Sequence, residues 1–182
     1  SKSQLAVQIS EGFSLTGRKV GYVDYEQGGL DSKDTIDSMN RNTTSKGREN
    51  IFVKGFMDNP LKELQDMCKF VDVIVADSVT DLGISADELN LLRKTYTNVI
   101  WCFISQVKEG GAMYGGNKMA HNPTMIINCH TDHDYKNRYA TLEKNRGNDL
   151  NICYDIFRKK CFIFEEENIP ETTNTKTVRK YL

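Results

Sequence analysis

The sequence predicts an α/β fold: a mostly parallel, twisted sheet with helices on both faces and an antiparallel C-terminal extension. Three observations predict it. Short continuous apolar runs at residues 73–76 and 99–104 lie in segments that read as strands buried on both sides, as central parallel strands are. Helical patterns with recognisable caps lie between the apolar runs. Beyond residue 124 strand-like segments follow one another, the later ones joined by short turns, which suits antiparallel neighbours.

Residues 2–15 place Leu5, Ile9 and Phe13 at i, i+4 and i+8, one stripe of a helix that Gly17 can end. Residues 20–25 are rich in strand formers and run into Asp24-Tyr25-Glu26-Gln27-Gly28-Gly29, where the glycines permit a sharp exit. Residues 31–40 are weakly helical, 42–50 read as a polar surface loop, and 51–53 as a short strand. Asn59-Pro60 supplies an N-cap with proline at the first helical position, and Leu61, Leu64 and Cys68 form the buried face of the helix that follows. The strand over 71–76 delivers Asp77-Ser78 at its carboxyl end. Ser85-Ala86-Asp87-Glu88 fits a capping box, with Leu89, Leu92 and Tyr96 as the inward stripe. The strand over 99–104 ends in Ser105-Gln106, and a glycine-rich segment over 107–122, carrying Lys108, Tyr114 and Lys118, is a candidate functional loop. Strands are expected at 124–129, 139–143, 152–157 and 161–164, and a flexible tail over 165–182.

The length of 182 residues suits one domain able to bury about 70% of its unfolded surface. With 24 Lys+Arg against 25 Asp+Glu the formal charge is -1, so binding nucleic acid through bulk positive charge is excluded and any DNA contact must be local. A composition of 38% hydrophobic and 27% charged residues excludes disorder and collagen. No apolar run approaches the roughly 20 residues of a membrane helix, and no export signal opens the sequence, so a cytoplasmic location is expected. Five cysteines (Cys68, Cys102, Cys129, Cys153 and Cys161), odd in number and without a CxxC pair, read as small buried hydrophobes in a reducing compartment. Cys129, His130 and His133 have metal-ligand chemistry, but a structural zinc normally takes four ligands and no fourth is evident.

Ligands of open α/β sheets bind at the carboxyl ends of the strands, which singles out Glu26, Asp77, Gln106 and, at a helix start, Lys2-Ser3. A carboxylate on a rigid strand end suits a hydrated Mg²⁺, and Glu26 on a neighbouring strand suits the orientation or deprotonation of a water. Free N–H groups at a helix start suit a phosphate.

Several segments, in order, resemble the RecA superfamily of P-loop ATPases. Lys2-Ser3-Gln4-Leu5 resembles the end of a Walker A loop, with Ser1 where its last glycine stands. Val73-Ile74-Val75-Ala76-Asp77-Ser78-Val79 resembles the Walker B segment, Tyr22-Val23-Asp24-Tyr25-Glu26 the strand bearing the catalytic glutamate, and Phe103-Ile104-Ser105-Gln106 the strand-end sensor. Val107-Lys108-Glu109-Gly110 and Glu143-Lys144-Asn145-Arg146-Gly147 resemble segments of RadA and DnaB-type ring ATPases. The resemblance implies a RecA-like core over 1–164 and a Mg²⁺-dependent ATPase acting on DNA in recombination, repair or replication, as a homo-oligomer such as a hexameric ring. It implies that Lys2 contacts the β and γ phosphates of ATP, that Ser3 and Asp77 hold Mg²⁺, that Glu26 positions water, and that Gln106 senses the phosphate. Lys144 and Arg146 would act on a neighbouring subunit's site, and Lys108 and Lys118 would contact DNA, single-stranded in a central pore.

The glycine-rich part of the phosphate loop and the strand before it are not in the 182 residues, so the expectation is a fragment that binds ATP poorly by itself. Ser1 also adds a Cβ where backbone approaches phosphate closely. The alternative expectation is a degenerate RecA-like module that binds partner subunits or DNA without hydrolysing ATP.

Overall fold

The structure, a computed structural model, describes residues 2–106, 121–147, 149–168 and 175–182. It divides into two compact units, residues 2–122 and 123–182.

The first unit is a four-stranded parallel sheet of β1 (Val20–Asp24), β2 (Ile51–Lys54), β3 (Val73–Asp77) and β4 (Ile100–Phe103), in the order β2-β1-β3-β4. Every pairing is parallel, with Val20 opposite Val73 and Asp24 opposite Asp77. All five residues of β1 and of β3 are buried, as their apolar runs demand. Alternation along β3 sends its side chains to two cores. Val73 and Val75 pack with Ala6 and Val7 of α1 (Lys2–Leu15) and Met39 of α2 (Lys33–Asn42). Ile74 and Ala76 pack with Leu64 and Met67 of α4 (Pro60–Met67) and with Leu89 and Leu92 of α5 (Ala86–Thr95). Helices therefore cover both faces, and burying each large aliphatic side chain contributes about 1.5–3 kcal/mol.

The helix ends are fixed where the sequence places their caps. Asn59 Oδ1 accepts the Lys62 N–H at 3.2 Å ahead of Pro60, and Ser85 and Glu88 form a reciprocal capping box. Gly17, with φ +84°, closes α1. The buried face of α1 differs from the expected Leu5-Ile9-Phe13 stripe. Ala6, Val7, Ser10, Glu11 and Ser14 are buried, whereas Ile9 and Phe13 are only half-buried. Two of these buried polar groups are satisfied: Ser10 Oγ donates to Ala6 O, and Glu11 Oε1 accepts from Thr44 N and Thr44 Oγ1, whereas the Ser14 hydroxyl is buried without a partner among the described residues. Residues 42–50 are likewise not all loop, since Thr44 caps a single helical turn, α3 (Ser45–Arg48).

A close backbone approach follows the end of β1. Gly28 and Gly29 have φ of +93° and +69° and lie against Gly55, beyond β2. A Cβ at Gly55 would overlap the Gly28 carbonyl, whose carbon would lie 2.6 Å away. We expect Gly55→Ala to lower the urea midpoint by an amount equivalent to about 1–3 kcal/mol, as overpacking does; an unchanged midpoint would show that the two backbones part at no cost.

The second unit is an antiparallel sheet of β5 (Met125–His130), β6 (Tyr139–Asn145), β7 (Cys153–Asp155), β8 (Lys160–Asn168) and β9 (Thr175–Tyr181), paired in sequence order. The tail expected over 165–182 is instead largely strand: β8 runs on to Asn168, and β9 pairs with it from Phe162 opposite Tyr181 to Asn168 opposite Thr175. One face centres on Phe162, fully buried, with Tyr139, Phe164 and Tyr181 edge-on or tilted around it and the Arg179 guanidinium 4.9 Å from the Tyr139 and Phe162 rings. Asp155, also fully buried, accepts hydrogen bonds from Arg158, Arg179 and Tyr181.

Of the cysteines, Cys68 and Cys153 are buried, Cys102 and Cys129 half-buried, and Cys161 exposed, contrary to a uniformly buried set. His130 stacks on Tyr139 and bonds Thr141 Oγ1 through Nε2 at 2.8 Å. No described helix is long and apolar enough to cross a membrane.

Candidate active site at the carboxyl ends of the parallel strands

Parallel pairing brings the carboxyl ends of β1, β3 and β4 to one edge of the sheet, and the first turn of α1 meets them there. Asp24 and Asp77 end adjacent strands in register. The chain then turns at Tyr25 and Glu26, both of whose N–H groups donate to Asp77 O, at 2.9 and 3.3 Å. Glu26 is thereby carried beside Asp77 with its own side chain exposed. Lys2 Nζ donates to Ser105 O, at 3.2 Å, just beyond β4, and Gln106 follows. The Ser3 hydroxyl donates to the Asp77 carboxylate. Lys2, Ser3, Glu26, Asp77 and Gln106 thus occupy one strand-end region.

The electrostatics are unbalanced in favour of a cation. Burial pushes the Asp77 carboxyl above its ordinary range, and the neighbouring negative charges of Asp24 and Glu26 push the same way, against the Ser3 hydrogen bond and the Lys2 charge. Tyr22, buried on the adjacent strand β1, has its phenol pushed far upward, first by burial and then by Asp77 and Asp24. The negative charges of Asp24, Asp77 and Glu26 thus outnumber the one ammonium that acts on Asp77, and Ser3 and Asp77 offer hard oxygen donors. That chemistry fits Mg²⁺, with Ser3 and Asp77 as the residues to hold it.

Residues the sequence does not single out complete the site. Asp24, 3% exposed, accepts the Gln27 N–H at 3.1 Å and the Thr35 hydroxyl. Thr35 lies in the first turn of α2. A cleft of about 220 Å³ opens between α1 and α2 beside them, lined by Ser3, Tyr22, Asp24, Gln27, Thr35 and Arg41 among others. The available signal was the i, i+2 relation of Asp24 to Glu26 at the end of one strand. Beyond β3, Ser78 Oγ donates to Asp81 Oδ2 at 2.5 Å, and the Asp77–Ser78 peptide is cis.

Known structures share this architecture. The chain superposes on a KaiC-like protein from Pyrococcus horikoshii OT3 with a TM-score of 0.62 and 18% identity, covering 90% of this chain and 79% of that one. The fold is RecA-like. The flagellar accessory protein FlaH of Methanocaldococcus jannaschii (TM-score 0.59, 20% identity, 84% and 79% covered) and the RadB recombinase (0.56, 15%, 88% and 80%) are similar to it as well. No protein-family model and no curated protein sequence matches the chain.

Two of the remaining predicted positions, Lys144 and Arg146, lie in or next to the antiparallel sheet of this RecA-like chain. Lys144, half-buried, is in β6 opposite Ile126, and Arg146 follows it in a turn, with its N–H donating to Thr124 O at 3.1 Å. Both belong to the second unit. Lys108 and Lys118 lie outside the described residues.

Proposed function

We propose that the chain is the catalytic core of a Mg²⁺-dependent ATPase of the RecA type that acts on DNA as a ring-shaped homo-oligomer. One observation carries the reading: an ammonium, a hydroxyl and carboxylates from two adjacent strands converge at the carboxyl edge of a RecA-like sheet, with a surplus of negative charge. In this reading Lys2 leaves Ser105 O to meet the β and γ phosphates of ATP, a short movement for a half-buried, flexible side chain. Ser3 and Asp77 would hold the cation, which would supply positive charge to offset that of the phosphate oxygens. Glu26, exposed on its turn and free to reach solvent, orients the attacking water and takes its proton. Gln106 hydrogen-bonds the γ phosphate and passes its loss to the segment that follows, where Lys108 and Lys118 contact single-stranded DNA.

The DNA assignment draws on the recombinase among the similar structures and on the lysines after Gln106. With a net charge of -1, a single subunit has no bulk attraction for DNA, and six copies around a strand would concentrate these lysines. Lys144 and Arg146 are assigned to the neighbouring subunit's phosphates.

The test is phosphate release by the full-length protein in Mg²⁺ and in EDTA, with and without single-stranded DNA. Metal-dependent, DNA-stimulated release is expected. An inactive full-length protein would contradict the reading. Arg146→Ala is expected to slow release by about 10³-fold, the scale of an arginine finger, and mixing it with Lys2→Ala subunits should recover part of the rate. An unchanged rate for Arg146→Ala would remove the trans-acting role.

A further inference from the structure

The turn that presents Glu26 is held from α2. Asp24 Oδ1 accepts the Gln27 N–H at 3.1 Å, and Asp24 O accepts the Gly28 N–H at 3.0 Å, so one residue fixes both ends of the segment beyond Glu26. The other carboxylate oxygen, Oδ2, accepts the hydroxyl of Thr35, which is 2% exposed and lies 3.5 Å from Gln27 Oε1 as well. Thr35 is itself fixed, since its N–H donates to Ser32 Oγ at the cap of α2. A buried carboxylate with one oxygen left unpaired would turn to find another donor, and the Gln27 N–H would lose its acceptor.

We propose that Thr35 is a positioning residue for Glu26: its hydroxyl holds the Asp24 carboxylate in the orientation that fixes the 24–28 turn, and so holds the Glu26 backbone over the strand ends. The catalytic part of this inference rests on the ATPase reading, whereas the positional part does not. The chain of contacts runs from α2 through Thr35 and Asp24 to Gln27, and no step in it passes through a ligand. It also makes the α1–α2 cleft, which Thr35, Asp24 and Gln27 line, continuous with the support of Glu26.

The experiment compares full-length wild type, Thr35→Val, Thr35→Ser, Glu26→Gln and the double variant Thr35→Val with Glu26→Gln, by amide exchange over residues 25–28 and by steady-state hydrolysis. Thr35→Val keeps the shape and removes the hydroxyl. It is expected to speed exchange at Gln27 and Gly28 about tenfold, through local opening. It is expected to lower kcat by about 10- to 100-fold, the cost of a misplaced catalytic group, with KM changed less than twofold. Thr35→Ser restores both, because the hydroxyl returns. In the Glu26→Gln background, adding Thr35→Val has no further effect on kcat, since residues that act as a unit are not additive. Unchanged exchange in Thr35→Val overturns the proposal, whether or not the protein hydrolyses ATP. So does faster exchange with an unchanged kcat, or an equal loss of kcat in both backgrounds. If wild type is inactive the ATPase reading falls, and exchange in the valine and serine variants alone decides whether Thr35 positions the turn.

Discussion

Glu26→Gln is expected to lower kcat for ATP hydrolysis by about 10²–10⁴-fold, the usual contribution of a general base, while ATP binding stays near wild type. The substitution is isosteric and at an exposed side chain, so stability should not change. Glu26 is the only carboxylate of the three at the strand ends whose side chain is exposed; Asp24 and Asp77 are 3% and 2% exposed. Asp24 spends both oxygens on Gln27 and Thr35, and Asp77 accepts from Ser3. An exposed carboxylate without such duties is the one able to meet a water. Full activity in Glu26→Gln, measured by phosphate release under saturating ATP, would move the base to another residue and remove the reason for assigning the turn to catalysis.

The second large effect lies in the antiparallel unit. Asp155 is fully buried and accepts the Arg158 N–H at 2.8 Å, Arg158 Nη1 at 2.9 Å, Arg179 Nη1 at 3.2 Å and the Tyr181 hydroxyl at 2.7 Å. Asp155→Ala leaves the largely buried Arg179 guanidinium without its counter-charge and Tyr181 without its acceptor, a loss of about 3–5 kcal/mol. Amide exchange over β7, β8 and β9 should rise accordingly. Burial opposes ionisation of Asp155, but hydrogen bonds from the Arg158 N–H, Tyr181 and the Arg158 guanidinium outweigh it, and the carboxyl is held below its ordinary value. A folded pKa below the unfolded value of about 3.9 means that its stabilisation is complete at neutral pH and is lost as pH falls below about 5. The wild-type advantage over Asp155→Ala should therefore shrink between about pH 5 and pH 3. An advantage that stays constant through that range would assign Asp155 a packing role only.

The parallel sheet was legible because its signals are local. Residues 73–76 form an uninterrupted apolar run, and the caps at Asn59-Pro60 and Ser85-Glu88 need only neighbours along the chain. The strand-end residues followed from topology: once β1 and β3 are parallel neighbours, Asp77 and the turn at Glu26 must emerge together. β9 was not legible, because TKTVRKY has one aliphatic residue and its inward groups, Arg179 and Tyr181, are satisfied by Asp155, 24 and 26 residues away. The buried face of α1 was hidden in the same way. Ser10, Glu11 and Ser14 read as solvent-facing until Thr44 is known to lie against Glu11. Thr35 and Asp24 belong to this class too: polar residues whose importance lies in a partner that periodicity cannot name.

The most direct test is a structure of the full-length protein with Mg²⁺ and a non-hydrolysable ATP analogue. The terminal phosphate is expected within reach of Lys2 Nζ, the cation beside Ser3 and Asp77, and Glu26 facing the γ phosphorus across a water. Nucleotide bound away from the carboxyl ends of β1 and β3, or bound there with Lys2 still on Ser105 O and Glu26 turned to bulk solvent, would contradict this arrangement.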